Sequence, residues 1–395
     1  TDVWFDEAAK WVEQKKDKPF FLYLSTNAPH GPYIVEEKYS KPYLDAGMPE
    51  TLAKFYGMIA NIDENLGRLR KKLDDLKLTE NTLLIFMTDN GTTAGWICMK
   101  SGFKYYNAGM RGWKSFAWEG GHRVPSFWHW PKGGLKGGRD IKEMTAHIDV
   151  LPTLVDMLNL KKPDGPKLDG VSIRGPLFGM QEEQFPERTL FAHVQRDHTP
   201  PKWKASVAMR GPWRLFEGRE LYNLTKDPGQ KNDIAAKHPA MVKRLRADYE
   251  TWWKSLEDDM KQTVRISLGG KQNPTVLYSH DWLMPTTVVT AWHQNHIRRG
   301  DLLNGPWNVL VEKDGRYEIT LFRWAPYLNK EMKMKSARVE IGGVKKSMKL
   351  DAGATEAKFE VELLEGPTQL MTWLVRPDGG ESGAYYTRVR YIEDT

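Results

Sequence analysis

Long apolar runs, cysteine pairs and long basic tracts are all missing from this sequence of 395 residues. Its longest apolar runs, such as Leu83 to Met87, are far shorter than the ~20 residues that cross a bilayer, so no membrane span is predicted. The single cysteine, Cys98, excludes an intramolecular disulfide and leaves the redox compartment undecided. The net charge of +7 is modest and the basic residues are scattered, so nucleic-acid binding is not implied.

An initiator methionine and a basic-then-apolar leader are also missing from the start of the sequence, which opens Thr1-Asp2-Val3-Trp4. We therefore expect a processed or truncated chain. Hydrophobic residues make up 40% of the sequence, and they recur in both helical and strand-like patterns. This composition predicts a globular protein of two or three domains.

Helix and strand patterns alternate over residues 1–180, which predicts an α/β domain with a mainly parallel sheet flanked by helices. A helix-like segment from Val3 to Trp11 precedes the apolar strand candidate Pro19 to Ser25. Apolar residues recur at three- or four-residue steps from Leu52 to Leu76, which predicts an amphipathic helix with Thr51 as its cap. The stretch from Asn81 to Thr88 is apolar without alternation, which predicts a strand buried on both faces.

Residues 181–262 carry the pattern of a small α+β subdomain. A short helix after Asp149, with Leu151, Leu154, Val155 and Leu158 facing inward, ends the preceding domain. Strand candidates then lie at Thr189 to His193, Ser206 to Met209 and Trp213 to Phe216. They are followed by a helix with one shared apolar face, formed by Val242, Leu245, Tyr249, Trp252 and Leu256.

Residues 263–395 change to a period of two, and turn signals such as Gly342-Gly343 separate the short apolar segments. Many short strands with almost no helix predict a β-sandwich. The strand candidates are Thr287 to Ala291, Asn308 to Val311, Tyr317 to Phe322, Ala337 to Ile341, Phe359 to Leu363, Gln369 to Leu374 and Tyr385 to Tyr391.

The pair Asp89-Asn90 follows the buried strand candidate directly. Open α/β folds place their ligands at the carboxyl ends of strands, and carboxylate and amide oxygens suit Ca²⁺ or Mg²⁺. By itself, however, Asp89-Asn90-Gly91 is also typical of an ordinary turn.

Two further segments carry residues suited to an anionic substrate. Lys114 follows the glycine-containing turn Gly109 to Gly112, where its ammonium can meet an anionic oxygen; the alternative is a surface lysine. His30 lies between Pro29 and Pro32, a loop that can present a proton donor, although a loop histidine is also often structural.

In this order, His30, Asp89-Asn90 and Lys114 resemble the second half of the sulfatase catalytic domain in the alkaline phosphatase superfamily. The similarity covers roughly residues 1–260, with supporting matches such as Trp118 to Pro125 and Glu220 to Leu224. The β-rich tail, with Gly315-Arg316-Tyr317-Glu318, resembles an accessory domain that follows some bacterial sulfatases.

This resemblance implies a sulfuric ester hydrolase acting on sulfated carbohydrates or aryl sulfates, in the periplasm or outside the cell. Asp89 and Asn90 would be two ligands of one Ca²⁺. Lys114 and His30 would contact the sulfate group and assist departure of the alcohol.

The family's reaction also needs a formylglycine made from a Cys/Ser-x-Pro-x-Arg motif, and the sequence contains no such motif. Cys98 is not followed by the required proline and arginine, and the family's upstream aspartate pair has no match before residue 19. We therefore expect an N-terminally truncated sulfatase that binds metal weakly and does not turn over an aryl sulfate on its own.

Two other functions remain open at this point. A phosphate or phosphonate ester hydrolase of the same superfamily is one, although those relatives commonly use two metals with several histidines and aspartates. The other is a noncatalytic carbohydrate-binding protein, in which Trp282 and Trp292 of the β-sandwich stack on sugar rings instead of filling its core.

Near Lys114, His122 is a weaker candidate for substrate contact, and Glu119 and Arg123 are interpreted as braces of their loop.

Overall fold

The computed structural model describes residues 1–99, 101–162, 164–180, 185–195, 199–284 and 290–392. The chain forms two compact units. The first contains Thr1–Gln195 and Lys202–Lys254, and the second contains Arg196–Pro201 and Ser255–Thr395. The predicted domain boundaries at residues 180 and 262 stay predictions. Within the described ranges, no helix is both long enough and apolar enough to cross a membrane.

The helices of the first unit include the two that the apolar spacing predicts near the N-terminus. The longer one, α3, buries Leu52, Phe55, Leu69 and Leu73 along one face. It begins one residue before the predicted cap Thr51, because Pro49 occupies the N-cap position. The helices are α1 (Asp2–Lys15), α2 (Glu37–Asp45), α3 (Glu50–Asp75), α4 (Ala94–Cys98), α5 (Glu119–His122), α6 (Val150–Met157) and α7 (Arg174–Phe178). Helix α8 (Pro239–Met260) begins in this unit and ends in the second.

Strand β1 (Leu84–Met87) forms at the predicted place but pairs antiparallel with β2 (Ser126–His129). Its residues are half-buried, so the predicted burial on both faces is wrong, and the described pairing differs from the predicted parallel sheet. The candidate Pro19 to Ser25 has no strand partner in the described part of the chain. Because no neighbour covers them, Phe21 and Tyr23 are 76% and 80% exposed.

A small antiparallel sheet in the order β3-β4-β5-β6 confirms the predicted strands of residues 181–262. Its strands are β3 (Leu190–His193), β4 (Ser206–Arg210), β5 (Trp213–Phe216) and β6 (Glu220–Asn223). Helix α8 buries Leu245 and Tyr249 fully, as its spacing predicts. In α6, by contrast, Leu151 and Leu158 are 51% and 44% exposed, so their predicted inward orientation is wrong. The fully buried side chain of α6 is Thr153, whose hydroxyl bonds to the carbonyl of Asp149.

The second unit has two sheets that share one buried apolar cluster, which confirms the predicted sandwich. One sheet has the order β13-β10-β16-β8, and the other has the order β12-β11-β14-β9-β7, with β15 paired to β14. The elements are β7 (Ile266–Leu268), β8 (Thr275–Tyr278), α9 (Gln294–Arg299), β9 (Trp307–Val311), β10 (Gly315–Phe322), β11 (Ser336–Ile341), β12 (Val344–Lys349), β13 (Ala357–Leu363), β14 (Gly366–Val375), β15 (Glu381–Ser382) and β16 (Tyr386–Ile392).

Alternation along the strands explains why the sandwich was predictable. Strand β13 buries every second residue, and Gly342 and Gly343 have the positive φ values that a tight hairpin between β11 and β12 requires. Strands β7, β8, β12 and β15 were not predicted, because they are short or, in β12, exposed on both sides. The candidate Thr287 to Ala291 lies mostly outside the described residues.

Candidate active site

Asp89, Asn90 and Lys114 line one cavity of about 300 Å³ in the first unit. The two metal-ligand candidates lie in the turn just after β1, where the backbone N–H of Asn90 donates to the Asp89 carboxylate at 2.8 Å. Lys114 belongs to the loop before α5, and its backbone N–H donates to the carbonyl of Thr92 at 2.9 Å. This backbone bond fixes the lysine beside the acidic turn.

Glycines allow these two loops to approach each other. The N–H of Gly91 donates to the carbonyl of Gly121 at 2.9 Å. A Cβ atom on Gly91 would lie 1.9 Å from the carbonyl oxygen of Gly120, a distance at which the backbone would have to move. The third residue of Asp89-Asn90-Gly91 is therefore needed for close packing, beyond its suitability for a turn.

Buried ion pairing anchors the far end of the Lys114 loop. Glu119 is 1% exposed, and its Oε1 accepts a hydrogen bond of 2.6 Å from the Nε of Arg214 in β5. The guanidinium of Arg111 lies 3.6 Å from the ring centre of Trp118 and donates to the carbonyl of Gln230 at 2.9 Å. These contacts tie the loop to the small sheet and support the interpretation of Glu119 as a brace.

His122 follows Glu119 in α5 and also lines the cavity. Its Nε2 is buried, has no hydrogen-bond partner within the described ranges, and lies 3.6 Å from Glu119 Oε1. Burial lowers the pKa of His122 below its usual value; Glu119 opposes this shift, and Arg214 adds to it. The His122 side chain in the cavity wall is therefore a neutral imidazole at neutral pH.

The lowered pKa of His122 makes the stability of the first unit depend on pH. Between the folded pKa and the unfolded value of roughly 6.5, the unfolded state binds more protons. The contribution of His122 to the free energy of unfolding is therefore fully present above the unfolded-state pKa. It decreases as pH falls below that pKa, by at most about 1.4 kcal/mol per pH unit. In urea unfolding at a series of pH values, the free energy of unfolding of His122→Gln should fall less steeply with decreasing pH than that of the wild type. The exposed His147 provides the control His147→Gln, and equal slopes for the wild type and His122→Gln would contradict the assignment.

His30 is not among the residues that line this cavity. Its ring is exposed, and its Nδ1 lies 2.8 Å from the carbonyl oxygen of Gly31. The role implied for His30 by the family resemblance stays a prediction.

Two histidines that the sequence did not single out line the cavity instead. His147 Nε2 lies 2.7 Å from the carbonyl oxygen of Thr88, just before the acidic turn. His193 is half-buried at the end of β3, where its Nε2 lies 2.9 Å from the hydroxyl of Tyr249. The position of His147 two residues before the predicted helix at Asp149 was a usable signal, whereas His193 depended on how the small sheet packs.

The cavity contains two side chains with oxygens that could bind Ca²⁺. Asp89 offers a carboxylate and Asn90 an amide oxygen, both hard ligands, whereas Ca²⁺ takes about six to eight oxygens. No group of three or more His, Cys, Asp or Glu side chains able to hold a metal occurs within the described ranges. These residues therefore fit two positions of a Ca²⁺ shell and do not complete one.

Comparison with known proteins gives a consistent picture. Residues 1–160 match the sulfatase family model. An N-acetylgalactosamine-6-O-sulfatase of Bacteroides thetaiotaomicron is 27% identical over 262 residues, covering 62% of this chain and 49% of the relative. The Uncharacterized sulfatase YdeN of Escherichia coli is 32% identical over 285 residues, with the same two coverages of 62% and 49%. The structure of Ps i-CgsB in complex with k-i-k-neocarrahexaose has a TM-score of 0.55 at 24% identity, covering 64% of this chain and 54% of that one.

The structural likeness shows a mixed α/β fold of the alkaline phosphatase-like class, as predicted. Over residues 1–160 the chain is similar to the sulfatase family. This chain spans about half the length of the curated relatives that it matches.

Proposed function

We propose that the cavity around Asp89 and Lys114 is the sulfate-binding part of a sulfatase that hydrolyses sulfate esters of carbohydrates or aryl alcohols. The main support is Lys114, a half-buried cation that lines the cavity and has no side-chain partner within the described ranges. A partly buried lysine without a side-chain counter-ion favours an anionic ligand. The sulfate group of the ester is such a ligand, because it is negatively charged.

Each residue has a distinct role in this proposal. Asp89 and Asn90 supply two oxygen ligands to one Ca²⁺, which would stabilise negative charge on the sulfate when bound. Lys114 binds a sulfate oxygen, and with His30 it assists departure of the alcohol. No nucleophile is assigned within this chain, because its sequence contains no Cys/Ser-x-Pro-x-Arg motif.

A sulfated carbohydrate is the substrate class that we favour over an aryl sulfate. The Bacteroides relative is named for a sulfated amino sugar, and Ps i-CgsB was solved with k-i-k-neocarrahexaose. Imidazoles of His122, His147 and His193 line the cavity and can exchange hydrogen bonds with sugar hydroxyls. A periplasmic or extracellular location would suit such a substrate.

Replacing Lys114 with alanine should weaken binding of 4-nitrophenyl sulfate by roughly tenfold or more, because a charge-assisted hydrogen bond is lost. Isothermal titration of the full chain in the presence of Ca²⁺ measures this change. Lys104 is exposed and lies in the preceding segment, so Lys104→Ala is the matched control for loss of one positive charge. Unchanged binding by Lys114→Ala, or equal losses in both variants, would argue against a sulfate contact at Lys114.

A further inference from the structure

Two tryptophans that are close in sequence have opposite environments in the second unit. Trp282 is 3% exposed, and its ring centre lies 5.8 Å from that of Trp307 and 6.0 Å from that of Tyr385. Trp292 is 54% exposed. Trp282 is therefore a core residue, and the sugar-stacking hypothesis remains open for Trp292 alone of the two.

The exposed indole stands on a fixed segment of backbone. The residue before it, Ala291, is 3% exposed, and its carbonyl accepts a 2.7 Å hydrogen bond from the hydroxyl of Ser279. The Thr290 hydroxyl donates to the carbonyl of Ser279 at 2.8 Å. A rigid platform is favourable for binding, because little conformational freedom is lost when a ligand stacks on it.

Two imidazoles flank the indole, with ring centres 5.4 Å away for His293 and 6.1 Å away for His296. His293 Nδ1 accepts a hydrogen bond from the N–H of Asn295 at 3.1 Å, so the neutral ring carries its proton on Nε2. His296 Nδ1 lies 2.9 Å from Asp301 Oδ2 and donates to that carboxylate, so the neutral ring keeps an acceptor at Nε2. One ring therefore offers a donor and the other an acceptor.

The carboxylate that fixes His296 stays ionised over the whole neutral range. Hydrogen bonds from Arg299, and to a lesser extent from His296, lower the pKa of Asp301 to about 2. Because Arg299 balances Asp301, this group of side chains does not require a charged ligand.

We propose that Trp292, His293 and His296 form a carbohydrate-binding surface that takes one pyranose ring. The apolar C–H face of the sugar stacks on the indole, and neighbouring hydroxyls meet the donor of His293 and the acceptor of His296. A single aromatic face with two polar ring tips suits a sugar, which is apolar on one face and rich in hydroxyls at its edge. An apolar protein partner would leave both imidazole nitrogens unpaired.

The binding test uses the full chain and two probes, a neutral galactohexaose and its sulfated counterpart, titrated by NMR. Trp292→Ala should weaken binding of at least one probe by roughly tenfold, equivalent to about 1.4 kcal/mol. Tyr327, which is 85% exposed in the same unit, provides the control Tyr327→Ala, for which affinity should not change. Similar affinities for both probes would identify the pyranose face as the feature recognised, and tighter binding of the sulfated probe would add a sulfate contact to it.

His293→Ser tests the hydrogen-bonding role separately, because serine can still cap α9 while the Nε2 donor is lost. It should lower affinity several-fold at an unchanged melting temperature. Lys114→Ala, which alters the cavity of the first unit, should leave binding of the neutral galactohexaose intact. Failure of both probes to bind, unchanged affinity in Trp292→Ala, or loss of neutral-probe binding in Lys114→Ala would each overturn the proposal.

Discussion

Replacing Arg214 with methionine is expected to lower the free energy of unfolding of the first unit by about 3–5 kcal/mol. The substitution leaves the carboxylate of Glu119 buried at 1% exposure without its 2.6 Å partner. Removing one member of a buried ion pair is costly, because the remaining charge is shielded from water and loses its nearest counter-ion. Urea unfolding of the wild type and the variant measures the difference.

Arg123 provides the matched control for this experiment. Its guanidinium lies 3.6 Å from Glu119 Oε2, but its side chain is 66% exposed. Arg123→Met should therefore cost no more than about 1 kcal/mol. The double variant Glu119→Leu/Arg214→Met should recover much of the lost stability, because it leaves no unpaired buried charge. Similar losses for Arg214→Met and Arg123→Met would show that the buried pair does not anchor the loop.

Replacing Gly91 with alanine is expected to damage both stability and ligand binding at the cavity. The added methyl group would lie 1.9 Å from the carbonyl oxygen of Gly120, and a backbone atom cannot move aside as a flexible side chain can. Overpacking of this kind costs about 1–3 kcal/mol or more. The displacement would also separate Asp89 and Asn90 from Lys114, so binding of 4-nitrophenyl sulfate should fall at least as far as in Lys114→Ala.

Gly67 in α3 offers a glycine-to-alanine control, because among the described residues no atom outside the adjoining helix backbone lies within 4 Å of its added Cβ. Gly67→Ala should stabilise the protein by roughly 0.5–1 kcal/mol, since glycine is unfavourable inside a helix. Thermal unfolding and ligand titration of both variants separate close packing from a general effect of the substitution. If Gly91→Ala retained normal stability and affinity, the contact between the two loops would be unimportant for the site.

Local patterns predicted most elements of the fold. The spacing of apolar residues located α3, and the period of two located β11 and β13, because burial of one face leaves a direct record in the sequence. Predictions of which segments pack against each other were less accurate. The spacing in α6 suggested that Leu151 faces inward, but the structure leaves that side chain 51% exposed. The apolar stretch of β1 likewise suggested a parallel sheet, although its described partner runs antiparallel.

The candidate site shows the same division between local and long-range information. The position of Asp89-Asn90 after a strand and the turn before Lys114 were both visible as sequence patterns. His147 and His193 were missed, because each reaches the cavity only through elements distant in sequence from Asp89. His30 was singled out by resemblance, and it is not among the residues that line the cavity.

By itself, the sequence determined where the acidic turn and the lysine loop lie, and that a β-sandwich follows the α/β region. It also determined the sulfatase resemblance, which the family match over residues 1–160 confirmed. The tertiary structure decided that Gly91 packs against Gly120 and thereby brings Asp89 and Lys114 to one cavity. It also decided that Trp282 is buried and Trp292 is exposed. The physical reason is that contacts between distant segments depend on shape and packing, which leave no periodic pattern in the residues that make them.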